Sequence, residues 1–273
     1  MLIDSNTFYT GELPQLTTQT DIPIRNSDVA LPIGINFIDL NCNAHLRVRA
    51  YADNYKASSA TIHTEPWAGN VLNAGGCTWL EVGNNDRDFQ HGVFSTTDDH
   101  PWDKPQLVTS RDILFNRAFA QPPNIVCWIN SFAIDHEVRC RVKTYAKDIT
   151  RTGFTLYIST WEDSLLYFVN TTWIAYPANR NNITSGCYNT AEVRPREEPG
   201  ARCERDIAFD KAFEKVPLVL TAFNMLDFDI AKSIKIKTSC TNVTEKGMTW
   251  HLDTWEKPIQ YAAGASYLAI QEY

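Results

Sequence analysis

Trp67, Trp161 and Trp255 stand at one constant spacing, since 161 minus 67 and 255 minus 161 both give 94. Each closes a short alternating segment with the same neighbours. A long spaced pattern written three times constrains the architecture before any propensity does, because each copy must be a folding unit or a piece of one. The second and third copies align without a gap: Asp112-Ile113 with Asp206-Ile207, Phe119 with Phe213, Pro123 with Pro217, Gly153-Phe154 with Gly247-Met248, Trp173 with Tyr267 and Ala175 with Ala269. In the first copy Asp21-Ile22 and Pro32 match the second at an offset of 91, whereas Arg47, Tyr51, Thr61, Trp67 and Trp79 match at 94. Three residues are therefore missing between Pro32 and Arg47. The copies occupy residues 1–83, 91–177 and 185–273, and the polar, turn-rich stretches 84–90 and 178–184 are the expected linkers.

The local periodicity is that of strands. Val138, Cys140 and Val142 alternate with Arg139, Arg141 and Lys143, so a period of two sends the first set to a core and the second to the opposite face. The runs beginning Phe154-Thr155-Leu156 and Met248-Thr249-Trp250 keep the same phase. Short alternating runs bounded by Pro, Gly, Asn and Asp predict an all-β chain of three tandem antiparallel β-sandwich domains, each with about six strands. No amphipathic helix of useful length is legible. Trp79, Trp173 and Tyr267, in the closing strand of each copy, are expected in the cores.

Composition excludes several classes. A net charge of −7 without a basic cluster gives neither nucleic acid nor an anionic membrane the dense positive field it needs, and no apolar run is long enough to span a bilayer. The opening Met1-Leu2-Ile3-Asp4-Ser5 lacks the basic and then apolar regions of a secretory signal. That leaves a cytoplasmic protein, one exported by another route, or one whose leader has been removed. Seven cysteines and six histidines do not recur between copies, and neither set shows ligand spacing. The expectation is that most of the cysteines are buried thiols, with no metal and no cofactor.

The string Phe119-Ala120-Gln121-Pro122-Pro123, followed by Arg141-Val142, Ile149-Thr150, Gly153-Phe154, Thr160-Trp161 and Trp173-Ile174-Ala175, resembles the H-type lectin domain. The third copy keeps Phe213, Pro217, Gly247, Thr254-Trp255 and Ala269; the first keeps Pro32, Arg47, Trp67 and Trp79. The resemblance implies a six-stranded sandwich, trimeric association, and recognition of terminal N-acetylgalactosamine or galactose at the seams between subunits, without metal. A chain carrying three copies is then expected to close the ring by itself as a compact pseudo-threefold monomer and to bind glycans multivalently, as an agglutinin does in cell adhesion.

A sugar ring asks for fixed donors and acceptors around its hydroxyls and for a flat apolar partner under its C–H face. Arg, a carboxylate and Trp supply all three. By the family pattern the cation is Arg141, with Arg47 and Lys235 at the repeated position. The Trp and the residue after it are Trp161-Glu162, Trp255-Glu256 and Trp67-Ala68. The acid cannot be carried over from the family, because the loop length differs. The repeat offers Glu12, Asp103 and Glu197, each two residues before a shared proline. The residues alone leave alternatives open: the Trp of each copy as core packing, and Arg47 and Arg141 as solvated positions or interdomain salt bridges. With Arg141, Trp161 and Glu162 together, the second copy is expected to hold the strongest site, and the first, with Ala68 and a shortened connection, the weakest. The family's disulfide would need cysteines where Thr64, Ile158 and Leu252 stand, so it is absent. Two other classes stay in view: a structural or protein-interaction module on the same fold that has lost its sugar site, and a glycan-active enzyme, for which no acid pair or nucleophile–base spacing is legible.

Overall fold

A computed structural model describes residues 18–230, 233–256 and 258–271. The first copy supplies β1 (Thr18–Pro23), β2 (Val29–Ala30), β3 (Ile33–Leu40), β4 (Leu46–Asp53), β5 (Ser59–Glu65), β6 (Leu72–Trp79) and β7 (Val82–Gly83). The second supplies β8 (Gln90–Ser95), β9 (Val108–Leu114), β10 (Asn124–Ile134), β11 (Cys140–Lys147), β12 (Gly153–Ser159) and β13 (Leu166–Tyr176). The third supplies β14 (Ile183–Asn189), β15 (Glu204–Ala208), β16 (Leu218–Phe228), β17 (Ile234–Thr244), β18 (Gly247–Asp253) and β19 (Gln260–Ile270). Among the described residues the helical elements are two single 3₁₀ turns, Thr96–Asp98 and Thr190–Glu192.

All pairing is antiparallel, and the predicted all-β sandwich class is what the chain forms. In the second copy β8, β13 and β10 face β9, β12 and β11, and Val142, Phe154, Leu156, Val169 and Trp173 are buried between them. Alternation explains the burial: Cys140, Val142 and Thr144 point inward along β11, and Phe154, Leu156 and Ile158 along β12. Trp79, Trp173 and Tyr267 are buried as expected, at 1%, 8% and 4% exposure. The turns recur as well. Asn54, Asp148 and Asn242 take the left-handed conformation at φ 50°, 51° and 50°, where Asn and Asp are the tolerated non-glycine residues.

The sheets do not stop at the copies. Their orders are β1-β5-β4-β10-β13-β8, β14-β19-β16-β11-β12-β9 and β15-β18-β17-β3-β6, so each sheet is half one copy and half the next. Three pairs make the joins: β10 with β4, β16 with β11, and β3 with β17. Their registers are related by the repeat, with Ser131 opposite Arg49, Met225 opposite Lys143 and Phe37 opposite Lys237. First joins second, second joins third, and third joins first.

A second apolar cluster draws on all three copies, including Leu80, Val126, Trp128, Leu220, Ala222 and Leu268. Gly34, Trp128 and Ala222 occupy the same position of the repeat and meet there. A Cβ at Gly34 would fall 2.5 Å from the Ala222 Cβ and 2.6 Å from the Trp128 Cβ. One indole fills the space that three equal side chains would share, which is why the repeat breaks at this position. The Trp128 Nε1–H donates to the Ser266 carbonyl at 3.1 Å, satisfying the indole's polar atom.

The missing three residues shorten a strand rather than a connection. β3 has 8 residues where β10 and β16 have 11, and it pairs with β6 from Ile33 opposite Trp79, the match of Cys127 opposite Trp173. Each of these three strands carries a bulge at an asparagine, at Asn36, Asn130 and Asn224. Asn130 and Asn224 donate from Nδ2 to Thr172 and Ser266 on the neighbouring strand, both at 2.8 Å. The expected linkers end where β8 and β14 begin, at Gln90 and Ile183.

Candidate functional site

The joining pairs set the repeated cation of one copy opposite a residue of the next: Arg47 faces Ala133, Arg141 faces Asp227, and Lys235 faces Asp39. Alternation does turn these cations away from their own cores, but the next copy covers them. Of the two alternatives open for Arg141, a solvated position or an interdomain salt bridge, the structure shows the second, with Asp227 of the next copy 3.7 Å away. Arg141 is 2% exposed.

At the second seam, between the second and third copies, the Arg141 guanidinium donates to Glu162 Oε2 and to Asp163 Oδ1, both at 2.6 Å, and Nε lies 3.7 Å from Asp227 Oδ1. Hydrogen bonding to this guanidinium holds the Asp163 carboxyl below the usual carboxylate range. Arg196 enters the same seam, donating to Asp227 Oδ2 at 3.0 Å with a second nitrogen 3.6 Å from Glu162 Oε1. Charge fills the space. The third seam, between the third and first copies, is closed more lightly: Lys235 Nζ lies 2.5 Å from Glu256 and 3.3 Å from Asp39, while Trp255 packs on Phe37 with centroids 5.4 Å apart.

The first seam, between the first and second copies, carries the same cation with every one of those acids replaced. Ala68 stands for Glu162, Gly69 for Asp163 and Ala133 for Asp227. The local turn is unchanged, for Ala68, Glu162 and Glu256 all lie in the left-handed region at φ 53°, 58° and 59°. Arg47 is half-buried, and among the described residues its hydrogen bond is one donated to the Ala68 carbonyl at 3.4 Å. Neighbouring Arg49 is satisfied by Glu65, donating from Nε at 2.9 Å.

Small residues leave room here. Ser131 occupies the place of Phe37 and Met225, and Trp102 the place of Arg196. A cleft of about 850 Å³ results, walled by Trp67 of the first copy and by Trp102, Tyr167 and Phe168 of the second. Trp67 meets Phe168 edge-on at 6.2 Å, and Trp102 meets Tyr167 at 6.1 Å. Asn130, Ser131 and Asn170 also line the cleft. Asn130 Oδ1, Ser131 Oγ and Asn170 Oδ1 are buried without a hydrogen-bond partner among the described residues. Buried polar atoms are nearly always satisfied, so three orphans beside one cleft mark it as a place that receives polar groups. At its end the Tyr167 hydroxyl donates to Asp135, which pushes the Tyr167 pKa up to about 12.

The residues named from sequence divide accordingly. Arg47 and Trp67, with Ala68, line the cleft; Arg141 with Glu162, and Lys235 with Glu256, are paired inside their seams. Trp161 and Trp255 are half-buried. Asp103 and Glu197 are exposed in loops, and Asp103 is next to Trp102 but is not among the cleft's lining residues. Glu12 lies outside the described residues. Strongest at Arg141 and weakest at Ala68 was the expected ranking; burial runs the other way. Sequence reasoning missed Trp102, Ser131, Asn130 and Asn170. Trp102 and Ser131 carried a signal in the repeat, an aromatic and a small residue where the sister copies have Arg196 and have Phe37 and Met225, but only the joining register says that these positions share a seam with Arg47; Asn130 recurs unchanged as Asn36 and Asn224 and carried none.

The sequence model of the H-type lectin domain matches residues 110–176 and 204–270, most of the second and third copies. The first copy lies outside the matched segments. The match suggests a carbohydrate-binding lectin, and domains of this kind are in general non-catalytic. A search of curated proteins finds no match to the chain.

Proposed function

We propose that this protein is a carbohydrate-binding lectin whose principal site is the cleft between the first and second copies, and that the ligand is a terminal N-acetylgalactosamine or galactose. One observation carries this reading: the first seam sets an Arg that has no carboxylate partner among the described residues beside three orphaned polar atoms and between tryptophans of two copies. Aromatic faces receive the apolar C–H face of a sugar, while Arg47, Asn130, Ser131 and Asn170 supply donors and acceptors for its hydroxyls. The two seams already filled by ion pairs are secondary, so a single chain presents one strong site rather than three equal ones. The lining residues, among the described ones, include no Asp or Glu, so the pair of acids that glycosidase chemistry uses is not among them.

Cyclic strand pairing supports a second element of the proposal, that one chain closes its own ring and is monomeric in solution. Light scattering should give a mass near 31.0 kDa. The function is tested on a glycan array, with the ligand then titrated by calorimetry into parent and Arg47→Ala proteins. Galactose-configured glycans should bind the parent and bind the variant ten- to a hundredfold more weakly, roughly the value of one charged hydrogen bond. An array silent for such glycans, or equal affinity in the two proteins, overturns the reading.

A further inference from the structure

The pairing of β10 with β4 ends at Ile134 opposite Leu46. The next residue beyond each end is therefore set against the other: His45 from the first copy against Asp135 and His136 from the second. His45 Nδ1 lies 3.2 Å from His136 Nδ1, 3.8 Å from Asp135 Oδ2, and His136 Nδ1 lies 3.9 Å from Asp135 Oδ1. We propose that these three side chains form a site for one divalent transition-metal ion, zinc by donor chemistry, which ties the two copies together at the end of the seam.

The geometry is near what the ion requires. Nitrogen ligands about 2.0–2.1 Å from a tetrahedral zinc stand roughly 3.3 Å apart, so the two imidazoles are already at ligand separation. The carboxylate presents one oxygen to each imidazole, and with one ligand atom from each residue all three lie within 4.8 Å of one another, so a modest turn of the Asp135 side chain completes the set. Two imidazoles and a carboxylate are an established zinc donor set that leaves a fourth position for water or another ligand. Asp135 is oriented from behind by the Tyr167 hydroxyl and by the Glu137 backbone N–H at 2.7 Å, the kind of outer support that fixes a metal-binding carboxylate. Both imidazoles are about one-third exposed, which provides a path of entry.

The sister seam shows what this corner needs. Asp229 and Tyr261 repeat Asp135 and Tyr167, and there the positive charge comes from Arg139, 3.9 Å from Asp229 and donating to the Tyr261 hydroxyl at 2.9 Å. His45 stands in the place of Arg139 and His136 in the place of Ile230. A guanidinium has no lone pair to give; a neutral imidazole has one. The first seam has thus kept the acid and the tyrosine while exchanging a fixed cation for two metal-ligating side chains.

Full-length protein stripped with EDTA and dialysed is titrated with zinc chloride alone, beside His45→Arg and His136→Asn. His45→Arg restores the cation of the sister seam, so it keeps the fold and removes a ligand. The parent should bind one more equivalent than either variant, at least about a hundredfold more tightly than any residual binding, and its melting temperature should rise with zinc where that of His45→Arg does not. Cobalt(II) should give the parent alone the visible absorption of a four-coordinate site. Equal zinc stoichiometry and affinity in parent and His45→Arg would falsify the site, leaving a simple imidazole–imidazole hydrogen bond. No sugar enters the measurement, so the result is independent of the carbohydrate reading.

Discussion

The first and second seams are built from the same strands in the same register, and they have opposite interiors. At the second, three carboxylates and two guanidiniums pair around Arg141, which is 2% exposed with Asp227 buried beside it, while Glu162 and Asp163 cap it from the solvent side. At the first, the same arginine position looks into an open cleft because Ala68, Gly69 and Ala133 have taken the acids away and Ser131 has taken the bulk away. One seam spends its cation on holding copies together; the other leaves it available to a ligand. The difference teaches that a repeated residue does not carry a repeated role when its partners come from the neighbouring copy.

The comparison breaks most visibly at Arg141. Removing a buried cation takes the guanidinium from Glu162 and Asp163 and leaves Asp227 to Arg196 alone, so Arg141→Ala should lose about 3 kcal/mol of stability, the low end for a broken buried pair. Arg47→Ala, at a half-buried position with no acid partner among the described residues, should stay within about 0.5 kcal/mol of the parent. Urea denaturation of both variants decides the matter, and equal losses would show that the seams are not different in kind.

Binding sharpens it from the other side. Placing the sister acids in the first seam, as Ala68→Glu with Ala133→Asp, should pair Arg47 internally and cost about 1.5–3 kcal/mol of sugar affinity while the fold persists. The left-handed turn already accepts glutamate at this point, as Glu162 demonstrates. Undiminished calorimetric affinity in the double variant would mean that Arg47 does not face the sugar. A smaller change is expected at the wall. Trp102 is 63% exposed, so Trp102→Ala should leave the melting temperature alone and weaken binding by about 0.5–1.5 kcal/mol, the usual worth of an aromatic face. Tryptophan fluorescence that responds equally to sugar in parent and variant would count against that role.

The smallest effect concerns the third seam. Burial alone would lower the Lys235 pKa, but Glu256 and Asp39 outweigh it and hold it above the ordinary lysine value. A raised folded pKa means that the contribution is complete below the unfolded value, about 10.4, and disappears as pH rises through the folded one. Lys235→Arg keeps its charge throughout, so melting temperature should fall less steeply in this variant than in the parent between roughly pH 10 and 12. Parallel curves would show that the lysine pair adds nothing to the closure.

Much of the fold was legible because it is local. Period-two alternation set Val142 and Leu156 inward, and the recurrence of Trp79, Trp173 and Tyr267 placed them in cores. The shortened first copy was legible as a count of three residues, but its place at the start of β3 was not, since a loop and a strand end lose residues alike in sequence. The site was half legible. Arg47 and Trp67 were picked out by pattern, whereas Asp103 and Glu197 were chosen from recurrence alone and lie exposed in loops. Trp102 went unnoticed beside one of them.

By itself the sequence determined the β alternation and the constant spacing of Trp67, Trp161 and Trp255, because strand periodicity and turn chemistry depend on residues near one another along the chain. It also determined that the three cations are equivalent and turn away from their own cores. Only the tertiary structure decided what they turn toward. Pairing β4 with β10, β11 with β16 and β17 with β3 brings together residues that are about 80 to 200 positions apart, and whether an arginine meets aspartate or alanine there is a property of two strands at once. Burial and electrostatics act across that contact, so they divide identical positions into closed seams and an open one.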